Sequence, residues 1–228
     1  MLGKWVLDIG CGAGRFAEIA LDSGAYVVAL DYSNSVDAYY KNLLNHKNLH
    51  LVQGDIYSLP FGKETFDFVY SLGVLQHTPD VAKSFQCLIP VLKSGGSLCV
   101  DFYQKSWRSM FLPKYWIRPF SKHISKNTLL SILKIVVPPL LLISSLVNKI
   151  PLIGKYLKRL IPVANHFEGL ELSNNQLTEW ALLDTFDWFS PAFDNPQSYN
   201  TVLKWFQDSN FKIIEVLKAG HLVGRGIK

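Results

Sequence analysis

The strongest indication of the fold is the segment Val6-Leu7-Asp8-Ile9-Gly10-Cys11-Gly12-Ala13-Gly14-Arg15-Phe16. A short apolar run contains an acid near its end, three glycines at alternating positions follow, and apolar residues at helical spacing begin at Phe16. This pattern predicts a strand, a tight turn and a helix N-terminus, where bare backbone receives a nucleotide-like ligand. Glycine suits the turn because it accepts positive φ angles and has no Cβ to keep a ligand away.

Strands and helices are predicted to alternate beyond this turn. Apolar runs predict strands at 26–30, 49–53, 66–71 and 97–102, helices at 36–44 and 81–92, and a turn at Lys93-Ser94-Gly95-Gly96. The chain ends with a predicted helix over 201–207 and two strands, 212–217 and 221–227, joined around Ala219-Gly220. The alternation predicts an α/β fold with a doubly wound, mostly parallel sheet and a C-terminal antiparallel hairpin.

The regular pattern stops after the fifth strand for about ninety residues. We therefore predict a ligand-binding core in two parts, 1–103 and 198–228, interrupted by a helical and irregular lid insertion over 104–197. A chain of 228 residues is long enough for one such domain with an insertion.

Composition narrows the class of protein. Apolar residues make up 49% of the chain and charged residues 18%, which excludes a disordered protein. The three cysteines, Cys11, Cys87 and Cys99, are too few and too scattered for a disulfide framework or a zinc site. The first residues run directly into a strand without a signal peptide. These observations predict a cytoplasmic protein with no metal site.

Polar side chains follow each of the first four predicted strands. Asp8, Asp31, Asp55 and Ser71 all stand at or just after a strand end. In a parallel sheet, ligands bind beyond the carboxyl ends of the strands, so these residues are predicted to surround one ligand.

The glycine turn resembles the first motif of the class I S-adenosylmethionine-dependent methyltransferases. Its spacing is Gly-x-Gly-x-Gly, whereas dinucleotide-binding oxidoreductases use Gly-x-Gly-x-x-Gly. The stretch from Ser71 to Asp80 is similar to the fourth motif of the small-molecule methyltransferases. The resemblance implies a seven-stranded Rossmann-like sheet, S-adenosylmethionine as the cofactor, and methyl transfer as the activity.

The resemblance also implies the roles of individual residues. Asp8 would orient the turn and help to hold the amino group of the cofactor, and Asp31 would accept hydrogen bonds from both ribose hydroxyls. Asp55 would accept from the adenine amino group. The turn residues Gly10, Cys11, Gly12 and Gly14, the adenine neighbours Tyr32 and Ile56, and the strand-end residues Ser71 and Leu72 complete the implied cofactor site.

Gln76 and His77 are the candidates for contact with the methyl acceptor. His77 could act as a general base or orient the acceptor, but a histidine at a helix start is often only a satisfied polar group. The residues that follow have a structural explanation, because Thr78 suits a helix N-cap and Pro79 a first helical position.

The insertion contains an apolar stretch, 129–147, with Lys134 as its only charge. We predict that Pro138-Pro139 ends the helix there, leaving two pieces too short to span a membrane. Residues 104–167 contain 11 of the 23 Lys and Arg residues and no Asp or Glu. The stretch is predicted either to pack as a lid or to rest on an anionic membrane and hold a lipid-linked acceptor. In the membrane or lipid alternative, the contacts would be made by Trp107, Phe111, Trp116, Lys155, Lys158 and Arg159.

A dense aromatic and carboxylate stretch closes the insertion at 183–196. Asp184, Asp187 and Trp188 are predicted to contact the acceptor, and the alternative is a structural loop with aspartates as turn formers. The leading hypothesis is a methyltransferase for a small-molecule or lipid-like acceptor. The alternatives are an inactive methyltransferase-like binding module and a nicotinamide-dependent oxidoreductase. A nucleic-acid substrate is not expected, since no motif for a flipped base follows the fourth strand.

Overall fold

Strands and helices alternate in a computed structural model that describes residues 1–37, 39, 46–107, 111–165 and 172–228. Its strands are β1 (Trp5–Ile9), β2 (Tyr26–Asp31), β3 (Leu49–Gln53), β4 (Phe66–Ser71), β5 (Leu92–Phe102), β6 (Lys212–Ala219) and β7 (His221–Ile227). Its described α-helices are α1 (Ala17–Asp22), α2 (Val81–Leu88), α3 (Pro113–Ser121), α4 (Lys126–Asn148), α5 (Gly154–Leu157), α6 (Asn174–Phe189) and α7 (Tyr199–Asp208).

The strands form one sheet in the order β3-β2-β1-β4-β5-β7-β6. Strands β1 to β5 are parallel, and β7 lies antiparallel between β5 and β6. The predicted mostly parallel, Rossmann-like sheet with a C-terminal antiparallel hairpin is confirmed. This topology brings the carboxyl ends of β1 to β4 together at one edge.

Both faces of the sheet are buried, which explains the continuous apolar runs. On one face, Leu7 and Ile9 of β1 pack in a cluster with Phe85 of α2. On the other face, Val6 packs in a second cluster with Ala17 of α1. Alternate residues of one strand therefore supply two cores.

Two predicted boundaries around β5 were wrong. Helix α2 ends at Leu88 instead of continuing to residue 92, because Pro90 has no N–H with which to continue the helical hydrogen bonds. Strand β5 begins at Leu92, and the predicted turn at 93–96 lies inside it, where the pairing with β4 shifts register. The predicted helix over 36–44 falls largely outside the described residues.

The described chain separates into two compact units, one formed by Met1–Lys105 with Phe193–Lys228 and the other by Ser106–Ala192. The first contains the whole sheet. The second contains α3 to α6, and its core joins Leu129, Leu133 and Val137 of α4 to Ala181 and Phe189 of α6. The assignment of the second unit as a lid stays a prediction.

Helix α4 runs without a break through Pro138 and Pro139, so the predicted division into two short pieces was wrong. Each proline removes the N–H that would reach a carbonyl four residues earlier, on Lys134 and Ile135. All four residues lie on exposed positions, where these carbonyls can find other partners. Packing of Val137 and Ser144, which are fully buried, holds the helix on both sides of the prolines.

Among the described residues, α4 is the one helix long and apolar enough to cross a membrane, although a single helix of this kind is weak evidence of a span. The structure also corrects the loop alternative for 183–196. Residues up to Phe189 belong to α6, which begins with a capping box between Ser173 and Gln176.

Candidate active site

A pocket of about 500 Å³ lies at the carboxyl ends of β1 to β4 in the first unit. It is lined by six of the predicted site residues, Gly10, Asp31, Tyr32, Asp55, Ile56 and His77. The other lining residues are Ile9, Leu30, Gly54, Tyr57, Val74, Thr78, Pro79 and Phe193. The volume suits a small organic ligand.

Backbone hydrogen bonds tie the glycine turn to the neighbouring strand. The N–H of Gly10 and that of Cys11 both donate to the Leu30 carbonyl, at 2.7 and 3.2 Å. The N–H of Gly12 donates to Oδ2 of Asp31 at 2.9 Å. The end of β2 therefore fixes the conformation of the turn that follows β1.

The three glycines serve different purposes. A Cβ on Gly10 would collide with the side chain of Val74, and one on Gly14 would come within 3.0 Å of the Tyr39 ring. A Cβ on Gly12 would meet nothing within 4 Å. Gly10 and Gly14 are thus required by packing within the protein, whereas Gly12 borders open space that a ligand can use.

The carboxylate of Asp31 accepts three hydrogen bonds within the protein. Its Oδ1 accepts from the N–H of Ser33 at 2.8 Å and from the Ser33 hydroxyl at 2.7 Å, while Oδ2 accepts from Gly12. A carboxylate has about four acceptor positions, so about one remains for a ligand. To accept from two ribose hydroxyls, Asp31 must release the Ser33 hydroxyl, which has Ser35 Oγ as another partner at 2.7 Å.

The residues after β3 form the opposite side of the pocket. Asp55 caps the short 3-10 helix Ile56–Ser58, and its Oδ1 accepts from the Tyr57 N–H at 2.9 Å. Ile56 is buried, whereas the Tyr32 side chain is 78% exposed. An apolar side chain next to a capping carboxylate is an arrangement that can receive a flat ring with an amino group.

Asp8 lies below the turn in a buried polar cluster with Cys11, Tyr39 and Tyr70. Burial raises the pKa of Asp8 to about 7; the Tyr70 hydroxyl lowers it in part, and the charge of Asp31 raises it further. Burial, followed by the charge of Asp8, also raises the pKa of the Cys11 thiol and of both tyrosines. Oδ2 of Asp8 accepts no well-formed hydrogen bond within the described residues. Asp8 itself is buried and is not among the residues that line the pocket.

His77 is held by a backbone carbonyl from a distant part of the chain. Its Nδ1 lies 2.9 Å from the carbonyl oxygen of Phe193, and its ring meets the edge of Tyr103 at a centroid distance of 5.6 Å. A carbonyl oxygen only accepts, so Nδ1 bears the hydrogen. The neutral ring then has its lone pair on Nε2, the form that a general base needs.

The segment 193–197 fixes the loop after β4. The Asn195 N–H donates to the Gln76 carbonyl at 2.8 Å, and Asn195 Nδ2 donates to the Thr78 carbonyl at 3.0 Å. This segment was predicted to belong to the insertion, and its contacts with the loop after β4 were not predicted. The dipeptide Asn195-Pro196, which is typical of a fixed turn, was the available signal.

Two further polar side chains lie in or next to the same loop. Gln76 is fully buried, and neither polar atom of its side chain has a hydrogen-bond partner in the described part of the chain. Asp101 of β5, which was not predicted as a site residue, accepts a hydrogen bond from the Gly73 N–H, and its Oδ2 lies 3.1 Å from Nδ1 of His221. In the sequence, the only indication of Asp101 was its position near the end of a buried strand.

The predicted capping of α2 was wrong in detail. The N-cap is Asp80, whose Oδ1 accepts from the Lys83 N–H at 3.0 Å. Thr78 instead ends the short 3-10 helix Leu75–His77, and its hydroxyl donates to the Leu75 carbonyl. Asp80 is the N-cap residue because the helix begins at Val81, directly after it.

The remaining predicted residues lie elsewhere. The buried Ser71 hydroxyl donates to the Ile9 carbonyl at 3.0 Å, and the half-buried Leu72 follows it, so neither is among the residues that line the pocket. Asp184, Asp187 and Trp188 belong to α6 of the second unit, where Arg118 Nε donates to the Trp188 carbonyl. No group of three metal-ligating side chains occurs within the residues that the structure describes.

Comparison with known proteins supports the interpretation of this pocket. Residues 7–100 match the family model described as a methyltransferase domain. A sterol 24-C-methyltransferase of Pneumocystis carinii is 37% identical over 100 residues, covering 41% of this chain and 26% of that protein. A ubiquinone biosynthesis O-methyltransferase of Coxiella burnetii is 29% identical over 109 residues, covering 47% of each. The chain thus spans about a quarter to a half of these relatives.

Solved structures show the same fold over nearly the whole chain. A SAM-dependent methyltransferase from Methanosarcina mazei has a TM-score of 0.56 at 14% identity and covers all of this chain and 92% of its own. One from Aquifex aeolicus has a TM-score of 0.53 at 14% identity, covering 99% and 81%. At this identity the likeness concerns the fold alone. Residues 7–100 therefore resemble a methyltransferase domain, and the chain has the fold of these SAM-dependent methyltransferase structures.

Proposed function

We propose that this protein transfers a methyl group from S-adenosylmethionine to a small-molecule or lipid-like acceptor. The observation that supports this most directly is the pocket at the strand ends, which is lined by Gly10, Asp31 and Asp55 and by His77 at one side. The family match over residues 7–100 and the small-molecule methyltransferases among its relatives agree with it.

Residues in and beside the pocket fit the cofactor in four places. The open space beyond Gly12 admits a ligand against the backbone. The free Oδ2 of Asp8 suits the α-ammonium group, and the carboxylate of Asp31 suits a ribose hydroxyl. Asp55 and Ile56 suit the adenine, with the carboxylate accepting from the amino group and the apolar side chain covering the ring.

Methyl transfer requires little chemistry from the protein. The sulfonium of the cofactor supplies the activated methyl group when it is bound, so the chain mainly has to align the acceptor and exclude water. A base is needed when the acceptor is a hydroxyl or a protonated amine. His77 can accept that proton at Nε2, because its Nδ1 hydrogen is donated to the Phe193 carbonyl.

The acceptor is proposed from two features. The buried, unpartnered amide of Gln76, next to His77 in sequence, favours a polar group of the acceptor or a bound water in its vicinity. The second unit is proposed to select the acceptor through Asp184, Asp187 and Trp188. Its apolar and basic composition favours a lipid-like molecule.

Calorimetric titration with S-adenosylmethionine, S-adenosylhomocysteine and NAD separates the possible functions. We expect both sulfur compounds to bind and NAD not to bind. Methyl-labelled cofactor is then incubated with lipid and polar metabolite fractions. Labelled product in either fraction supports a transferase; cofactor binding without any product supports a binding module; and NAD binding alone supports an oxidoreductase. We further propose that the protein acts in the reducing cytoplasm, where Cys11, Cys87 and Cys99 remain free thiols, as in the structure.

A further inference from the structure

One side of α4 remains apolar and exposed after the helix has packed into its own unit. Leu129, Leu133 and Val137 are buried along one side. At 3.6 residues per turn, a second apolar stripe lies roughly a third of a turn away. It consists of the exposed side chains of Ile132, Ile135, Val136, Leu142, Ile143 and Leu146. With Ile135 76% exposed, this stripe is not part of the unit's core.

The apolar surface continues past the end of α4 into the turn before α5. Leu152 in this turn is 91% exposed and has a φ of +66°, a conformation that costs energy for a leucine. Tyr156, Leu157 and Leu160 beyond it are also exposed. At 91% exposure, the Leu152 side chain does not offset this cost by packing within the unit.

Basic groups surround this turn. Lys149 and Lys155 line a shallow surface pocket of about 540 Å³ together with Leu152 and Tyr156. The ammonium of Lys155 lies 5.2 Å from the centre of the Tyr156 ring. Residues 104–167 contain no acid to oppose these charges. An exposed leucine beside two ammonium groups complements a lipid with an apolar chain and an anionic headgroup.

We infer that the exposed stripe of α4 and the turn at 150–153, together termed the α4–α5 face, bind the surface of an anionic phospholipid bilayer. Helix α4 lies in the plane of the membrane, with its stripe and Leu152 among the acyl chains. Lys149 and Lys155 contact the lipid phosphates. This arrangement has the pattern of an interfacial amphipathic helix, in which apolar burial and charge attraction add.

The surroundings of α4 favour an in-plane helix over a membrane-spanning one. Lys134 is exposed near its middle, and the prolines leave two carbonyls there without helical donors. Helix α6, which packs against the buried side of α4, contains Glu179, Asp184 and Asp187. A spanning α4 would place these polar groups in hydrocarbon, where they are costly.

Vesicle flotation with the full chain tests the inference. The vesicles contain either phosphatidylcholine alone or phosphatidylcholine with phosphatidylglycerol, each at low and high salt. We expect binding to anionic vesicles that weakens at high salt but persists in part. Leu152→Asp is expected to reduce binding about tenfold or more, since a leucine leaves the acyl region. Lys149→Glu with Lys155→Glu is expected to abolish the preference for anionic vesicles.

Matched variants on the first unit serve as controls. Leu2 is 88% exposed, so Leu2→Asp makes the same change away from the face, and Lys63→Glu with Lys218→Glu matches the charge change. Both controls are expected to bind like the wild type. The inference is overturned if the wild type floats with neither vesicle, if Leu152→Asp floats unchanged, or if the bound protein resists alkaline carbonate extraction as a spanning helix does. A dimer in sedimentation that Leu152→Asp dissociates, without vesicle binding, would assign the face to a second copy instead.

Discussion

The Gly12 N–H donates to Oδ2 of Asp31 at 2.9 Å, so the acid at the end of β2 holds the turn that follows β1. Asp31 was predicted only as a ligand for ribose hydroxyls. The structure gives it two tasks, because the carboxylate that would bind the cofactor also sets the backbone against which the cofactor would lie.

Substitution of Asp31 distinguishes these tasks. Asp31→Asn keeps one acceptor oxygen for the Gly12 N–H but loses the charge, and Asp31→Ala loses both. We expect S-adenosylhomocysteine affinity to fall by about 1.5–3 kcal/mol, or about tenfold or more, in the asparagine variant and further in the alanine variant. Titration calorimetry measures both, and circular dichroism checks the fold. Equal affinity in wild type and a folded Asp31→Ala would remove Asp31 from the site.

Gly12→Val is expected to abolish cofactor binding, because its side chain would fill the open space beside the turn. The substitution also strains the backbone, since Gly12 has a φ of +53°. Gly220→Val is the matched control, because Gly220 has a φ of +74° and equally open surroundings in the β6–β7 turn. A similar loss of stability in both variants, with loss of binding in Gly12→Val only, is the predicted outcome. Normal binding by Gly12→Val would mean that the turn is purely architectural.

The raised pKa of Asp8 predicts opposite pH trends for the free energy of unfolding and for cofactor affinity. Its pKa of about 7 lies above the value of an unfolded chain, so its protonated form stabilises the folded state at low pH. Between about pH 5 and pH 8 the ligand-free protein should lose about 2–3 kcal/mol of unfolding free energy through this group. Cofactor affinity should rise over the same range, because the ionised carboxylate attracts the α-ammonium group.

Asp8→Asn is the control for both trends. Urea unfolding and titration calorimetry at several pH values measure them. In the variant, both the loss of stability and the gain in affinity with rising pH should shrink. If the wild type keeps a constant affinity from pH 6 to pH 8, Asp8 does not hold the ammonium group.

His77→Asn tests the proposed base. The asparagine amide can still donate toward the Phe193 carbonyl, but no proton acceptor remains at the position of Nε2. We expect the rate of methyl transfer to fall by about 10²- to 10⁴-fold while S-adenosylhomocysteine affinity changes little. Transfer of labelled methyl to an acceptor that has an ionisable hydroxyl gives the rate. An unchanged rate on such an acceptor would reduce His77 to a positioning residue.

The prolines in α4 allow a stability test. Pro138→Ala restores an N–H for the Lys134 carbonyl within an unbroken helix, so the unfolding free energy should rise by about 1–3 kcal/mol. Pro113→Ala is the control, since Pro113 is the first residue of α3 and its missing N–H has no helical partner. Thermal unfolding compares the two. A larger gain from Pro113→Ala than from Pro138→Ala would contradict the continuous α4.

The strands of the sheet could be predicted because each is indicated by its own residues and by the residues directly next to it in sequence. The apolar run at 26–30 has the length and composition of a buried strand, and an acid, Asp31, marks its end. Pro90 was also a local signal, for the end of α2, but it was not used in the prediction. The continuity of α4 was not predictable in this way, since the packing of Val137 and Ser144 outweighs the local cost of two prolines.

The candidate site was predictable only where residues stand next to a strand end. Gly10, Asp31, Tyr32, Asp55 and Ile56 line the pocket for that reason. Phe193 and Asn195 reach the loop after β4 from more than a hundred residues away, and no sequence pattern indicates such a contact. The same limit applies to the use of Asp31 by the Gly12 N–H, which depends on the meeting of two strand ends.

A crystal structure of the protein with S-adenosylhomocysteine would show whether the pocket at the strand ends binds the cofactor. The account predicts ligand density in the pocket at the ends of β1 to β4, with the ribose in hydrogen-bond contact with Asp31 and the adenine against Ile56. The Ser33 hydroxyl should have turned from Asp31 toward Ser35. Density for the ligand elsewhere, or an empty pocket at saturating ligand concentration, would contradict the account.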